Sequence, residues 1–218
     1  MTPKNRDEAL VEYQRQIGKV LNCVANCWVY AYPSRKAGQY MLIAAPADAE
    51  KTDKASEYFL RVKRGKEVLF FRGYQFFEVF DDDSFRISTL KYYYSIWPKQ
   101  SELLIDFHYH ERKADLYKGH LHIPPKPGVA PVHFLINKHI PTARIPIEDV
   151  VRFMITEVGV TPRTDAWQST LNETEAIFSA NRTKWSGPSV LWRVHTTRGL
   201  LVVPSEDFGF FVSAVAPK

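Results

Sequence analysis

The stretch Leu103-Leu104-Ile105-Asp106-Phe107-His108-Tyr109-His110 decides how this chain is read. It opens apolar and passes into alternation, the period-two pattern of a strand with one face buried. Side chains two apart on a strand share a face, so His108 and His110 point the same way. A second run, Gly119-His120-Leu121-His122, repeats the pattern before Ile123 and the Pro124-Pro125 stop. The polar, charged residues from Glu111 to Gly119 are long enough for an open hairpin loop. Six of the seven histidines lie between His108 and His139. If the two strands pair, four imidazoles meet on one face. Another register would leave the two pairs on opposite faces, and sequence leaves that choice open.

Moving toward the N-terminus, the chain is rich in strands. Tyr58 to Arg64 ends at Gly65. Val68 to Phe71 and Gln75 to Phe80 follow, with Gly73 read as a turn or bulge between them. Asp81-Asp82-Asp83-Ser84 reads as a solvated acidic turn, because it lacks the alternating ligands and glycine of a calcium loop. Phe85 to Leu90 and Lys91 to Trp97 then precede Pro98. Successive strands without intervening helices predict antiparallel pairing rather than β-α-β units. Gln39 to Ala45 reads as one further strand.

Three helices complete the pattern. Asn5 or Asp7 caps the first, which the stripe Leu10, Tyr13, Ile17, Val20, Leu21, Val24, Cys27 and Trp28 carries to about Cys27 or slightly beyond. Pro146 opens the second, with Glu148 and Asp149 in its first turn, an inward stripe from Ile147 to Val158, and Gly159 as its stop. Thr164 or Asp165 caps the third, which runs to about Ala180 with Trp167, Leu171, Thr174 and Phe178 inward. Beyond it, Val190 to His195 and Leu200 to Val203 read as a hairpin, and Phe208 to Val215 as one more strand. Val132 to Ile136 reads as a short strand ahead of the second helix. The fold class is therefore α+β: a mainly antiparallel β-sheet packed by an N-terminal amphipathic helix and two helices of the C-terminal half. The chain reads as a single domain over 1–218, with 161–164 the candidate for an internal boundary.

Composition narrows the functional classes. The chain has 218 residues, 45% hydrophobic and 24% charged, with a net charge of +5. That balance favours a polyanionic partner such as RNA, though only mildly. No stretch approaches the roughly 20 apolar residues of a membrane span, and the charged N-terminus lacks a secretory core. A cytoplasmic protein without a membrane partner is the expectation. Cys23 and Cys27, the only cysteines, are read as reduced residues on one helical face. Tyr92, Tyr93, Tyr94 and Trp97 suit base stacking if Arg61, Lys63 and Arg64 lie nearby; aromatic residues serve strand cores equally well.

Four neighbouring imidazoles have several meanings. They ligate transition metals, transfer protons near neutral pH, contact anions when protonated, or merely decorate a wet strand. The runs Tyr92-Tyr93-Tyr94-Ser95-Ile96-Trp97, Ile105-Asp106-Phe107-His108-Tyr109-His110 and Gly119-His120-Leu121-His122 resemble the small TumE-like proteins of bacterial toxin–antitoxin systems. The approach to the helix, from His139-Ile140-Pro141 through Arg144 to Glu148, also looks like segments of related uncharacterised bacterial proteins. The resemblance covers about Phe85 to Val160 and implies a toxin–antitoxin or phage-defence setting rather than a mechanism. The chain departs from the family pattern in its greater length and at Phe107-His108-Tyr109.

Three functions follow as expectations. In the first, the protein acts on RNA as a metal-independent ribonuclease, with His108, His110, His120 and His122 as acid and base. Lys138 or Arg144 then neutralises charge on the phosphate, and Arg112 and Lys113 guide the backbone. In the second, it is a non-enzymatic module binding nucleic acid or a cognate protein partner through its first helix. In the third, the histidines hold a transition metal with Asp106 or Asp115, making a metallohydrolase. Whether the chain is an enzyme stays open at this stage, and no cofactor is required by the first two.

Overall fold

Strand pairing carries the alternation through to the tertiary level. A computed structural model of the chain describes residues 5–49, 58–80, 87–99, 103–110, 119–123, 140–142 and 144–181. The chain divides into two compact units, Met1–Arg182 and Thr183–Lys218, and the described residues all belong to the first. The strands expected at 132–136, 190–203 and 208–215, the acidic turn at 81–84 and the loop at 111–118 lie outside the described residues.

Among the described residues the eight strands are β1 (Cys27–Pro33), β2 (Gln39–Pro46), β3 (Leu60–Arg64), β4 (Glu67–Val79), β5 (Ile87–Trp97), β6 (Ile105–His110), β7 (Gly119–His122) and β8 (Ile140–Thr142). They form one sheet in the order β1-β2-β4-β5-β6-β7-β8, with β3 on β4. Every pairing is antiparallel. The length of β4 lets one edge hold β3 at Glu67–Phe71 and β2 at Tyr74–Glu78. The helices are α1 (Arg6–Asn22), α2 (Ile147–Thr156) and α3 (Trp167–Asn181). The fold is α+β, as expected from the sequence. None of the described helices is long and apolar enough to cross a membrane.

The helices lie against one face of the sheet. Val20 of α1, Val150, Val151 and Met154 of α2, and Leu171 of α3 meet Val62, Phe71, Phe77 and Ile96 in a single core. Burying each such side chain contributes about 1.5–3 kcal/mol against leaving it in water. A polar relay runs through this layer. The Tyr13 hydroxyl of α1 donates to Gln75 Oε1 of β4, and Gln75 Nε2 donates to the Tyr94 hydroxyl of β5. Next to it the Tyr92 hydroxyl accepts the Ile145 N–H at 2.7 Å, which docks the segment entering α2. Burial pushes the hydroxyls of Tyr13 and Tyr92 up from the usual phenol range, Tyr13 to about 12. All three phenols therefore remain neutral hydrogen-bonding groups; burial likewise raises Tyr94.

The first helix is shorter than its stripe suggests. Asn5 caps it, accepting the Glu8 N–H at 2.8 Å. It ends at Asn22, whose side chain donates to the Cys27 carbonyl at 3.1 Å and accepts the Cys27 N–H at 3.3 Å. That exchange turns the chain directly into β1, so Cys27 and Trp28 belong to a strand. Trp28, expected inward, is 61% exposed. The two thiols do not share a helical face, but both are free and buried.

Two strand boundaries also differ. Gly73 is neither turn nor bulge, because β4 runs straight through it. The residues on either side of Leu90 form one strand, β5, whose register against β4 slips by one residue there: Phe76 pairs with Lys91 and Phe77 with Thr89. The two later helices keep their expected spans. Pro146 stands at the N-cap of α2, and Gly159 adopts φ +80 just beyond its end. Leu171 and Thr174 are fully buried beneath α3. Glu148, expected only as a first-turn charge, is also buried. The segment 161–164 is bound into the fold: Thr161 N–H donates to Lys63 and Arg163 N–H to Cys23, both at 2.7 Å.

The Cys27 thiol gives a measurable consequence of this packing. Burial pushes it up to about 12, with Arg163 opposing part of the rise. A raised thiol value means that the native state holds this proton more tightly than the unfolded chain. The associated stability is complete below the unfolded value and drains away as pH climbs toward the native one. The urea midpoint is expected to fall progressively from about pH 9 upward, and Cys27→Ala to remove part of that slope. At pH 8 a thiol reagent should label Cys27 only after denaturant is added; rapid labelling of the native protein would contradict the placement of Cys27 in the core.

Candidate metal centre on the sheet face opposite the helices

The sheet face opposite the helices carries the histidines. Register across β4, β5, β6 and β7 arranges it in three transverse rows. One runs Arg72, Ser95, Asp106, His122; the next runs Tyr74, Tyr93, His108, His120; the third runs Phe76, Lys91, His110. Directly paired side chains on one face stand about 4.5–5.5 Å apart at Cβ, so neighbours within a row touch. His108 pairs with His120 itself, which is the register that unites the two His-x-His pairs.

All four imidazoles converge. Ring centroids are 4.7 Å apart for His108 and His122, 4.8 Å for His120 and His122, and 5.4 Å for His108 and His120. His110 stands farther out, 5.8 Å from His120 and 6.0 Å from His108. The inner three each present one ring nitrogen such that these atoms lie within 4.8 Å of one another. His120 is 2% exposed, whereas His108 and His122 are half-buried.

The carboxylate of Asp106 organises the site. Its Oδ2 lies 2.6 Å from Nε2 of His108, and its Oδ1 accepts the Ser95 hydroxyl at 2.7 Å. Asp106 and His108 are two apart on one strand, and Ser95 faces Asp106 from β5, so both contacts follow from strand geometry. With Nε2 donating to Asp106, the His108 tautomer leaves Nδ1 as the lone-pair atom. On the outer side, the Tyr93 hydroxyl is 3.4 Å from Nδ1 of His110, and the Tyr93 ring meets His108 edge-on at 4.7 Å. Burial raises the Tyr93 and Tyr74 hydroxyls, reinforced at each by the nearby Asp106 charge.

Of the other residues expected at the site, Arg144 is the one among the described residues, and it is placed elsewhere. Arg144 stands over Tyr109, its guanidinium 5.5 Å from the ring centroid. Tyr109 stacks on Tyr92 at 5.5 Å on the helix face, so Arg144 is on the wrong side of the sheet to share a ligand with the histidines. Arg112, Lys113, Asp115 and Lys138 lie outside the described residues. Of the tyrosine run, Tyr92 and Tyr94 are buried among the helices and only Tyr93 belongs to the histidine face. Ser95, Tyr74 and Lys91 were not singled out from the sequence as site residues. Counting in twos from Tyr93 along β5 finds Ser95 and Lys91; Tyr74 needs the β4–β5 register. No family model matches the chain, and neither a curated protein nor a solved structure matches it.

Proposed function

We propose that this face is a transition-metal centre of the hydrolytic kind, with His108, His120 and His122 as ligands and zinc as the best-fitting ion. The observation that carries the reading is the trio of imidazole nitrogens within 4.8 Å of one another on two paired strands. Nitrogens around tetrahedral zinc are separated by about 3.4 Å, given bonds of about 2.0–2.1 Å. Small side-chain rotations span the difference. Three histidines leave a fourth position for water, the pattern of catalytic rather than structural zinc sites. The ion would supply a water acidic enough to serve as a nucleophile near neutral pH.

The surrounding residues suit that task. Asp106 engages Nε2 of His108, and so would fix the tautomer in which Nδ1 serves as the ligand atom and raise its basicity. Ser95 in turn fixes Asp106. His110, outside the trio but beside it and with the Tyr93 hydroxyl 3.4 Å from its Nδ1, would serve to exchange a proton with the attacking water or the leaving group.

The test is metal content and its coupling to turnover. Protein purified without a polyhistidine tag is expected to retain or take up about one equivalent of zinc. Hydrolysis of phosphodiester and carboxylic ester substrates should then stop on chelation and return on zinc addition. A second reading is metal-independent cleavage of RNA, favoured by the 2.6 Å contact of Asp106 with His108, which would equally orient a general base. Cleavage that persists in chelator, in protein free of metal, would select it and eliminate the zinc reading.

A further inference from the structure

We propose that the aromatic row beside the histidines is a stacking platform for a nucleobase. The ligand of this face is then a nucleoside phosphate, free or within a single strand. The inference rests on the metal reading for where the phosphate goes, but its platform uses other residues.

Tyr74 and Tyr93, paired across β4 and β5, have ring centroids 4.8 Å apart. The Tyr93 ring then meets His108 at 4.7 Å and His110 at 5.1 Å, so aromatic surface runs without a break into the imidazole cluster. Cations flank this row on both sides. Lys91 Nζ lies 4.0 Å over the Phe76 ring, and the Arg72 guanidinium lies 5.5 Å from the Trp97 ring. A π-surface with cations beside it is the equipment that binds a base and its phosphate without reading sequence.

Cross-strand aromatic pairs also stabilise sheets on their own account, and the two uses are separated by where the rings sit. The tyrosines that serve the core, Tyr92 and Tyr94, are buried. Tyr74, Tyr93, Phe76 and Lys91 are all only half-buried, on the face away from the helices. Adjacent strands are about 4.8 Å apart, which sets His108 one strand from Tyr93 and His120 two. That span is comparable with the reach from a base to its own phosphate. The chain's net charge of +5 has the sign such a ligand requires.

The test titrates the whole chain with adenosine monophosphate, inorganic phosphate, and ribo- and deoxyribo-oligonucleotides of about ten residues, a length within the usual site size. Binding is read by intrinsic fluorescence, in chelator and with one equivalent of zinc. The mononucleotide is expected to bind at least tenfold more tightly than phosphate. Tyr74→Leu should lose about tenfold or more of nucleotide affinity, with zinc affinity held within twofold, while Tyr74→Phe keeps nucleotide binding. An oligonucleotide much tighter than the mononucleotide identifies a single strand as the ligand; equal affinities identify the free nucleotide. If Tyr74→Leu does not fold, Lys91→Gln decides: the ammonium beside the platform would attract the phosphate on its way to the histidines, so its removal flattens the salt dependence of nucleotide binding, and an unchanged salt dependence overturns the platform.

Nucleotide binding no tighter than phosphate overturns the platform, as does a folded Tyr74→Leu that binds nucleotide like the parent. Zinc uptake without nucleotide preference removes this inference and leaves the metal centre standing. Nucleotide binding to a protein that takes up no zinc does the reverse.

Discussion

Replacing His122 with Ala is expected to lower zinc affinity by about a hundredfold or more, while His110→Ala leaves it within about threefold. The contrast tests the geometry residue by residue. Both histidines are the C-terminal members of their His-x-His pairs, and the sequence treats them alike. In the fold His122 stands 4.7 Å from His108 and 4.8 Å from His120 by ring centroid, whereas His110 is 5.8 Å or more from the two imidazoles whose rings define its position. A metal held by three nitrogens and a water loses a quarter of its coordination in His122→Ala and nothing in His110→Ala. Asp106→Asn should fall between, at about ten- to a hundredfold, because it removes the charge behind His108 and not the ligand itself. Isothermal titration with zinc and circular dichroism on all three variants gives the order. Equal losses for His110→Ala and His122→Ala would mean that the four rings act as an undifferentiated cluster, and the three-ligand assignment would fall.

The convergence of these rings was half legible in the sequence. Alternation places His108 with His110 and His120 with His122, since period two is a local property of extended backbone. Register is not local, and only the pairing of Asp106 with His122 and His108 with His120 joins the two pairs. Arg144 shows the complementary failure. It is near the cluster in sequence, but the Ile145 bond to Tyr92 draws that segment to the helix face. Helices α2 and α3 were readable because their stripes begin and end on strong signals. The start of β1 was not, because Cys27 and Trp28 extend the three- and four-residue spacing of α1 by coincidence. The bond that ends the helix is made by the Asn22 side chain, which periodicity does not see.

Gly73 is ambiguous in the sequence for a related reason, and its role makes the largest stability prediction. Glycine within a β-rich run suggests a turn, but here β4 continues through it. What excludes a side chain is packing. A Cβ at Gly73 would come within 3.1 Å of the Phe71 ring and 3.2 Å of the Tyr94 ring. Those rings stack with centroids 6.4 Å apart, and both are buried. Phe71→Ala is therefore expected to cost about 3–5 kcal/mol, by lost transfer energy and the cavity left behind. Gly73→Ala should cost about 1–3 kcal/mol through overpacking. The double variant separates packing from backbone conformation. If Gly73 is required because Phe71 occupies the space, removing that ring frees room for the new methyl. The pair should then be less destabilising than the two single costs added, by a coupling of about 0.5–3 kcal/mol. If glycine were required for a turn, its replacement would cost the same whether or not Phe71 is present. Urea denaturation of the parent, both single variants and the double variant measures the coupling, and strict additivity would return Gly73 to a backbone role.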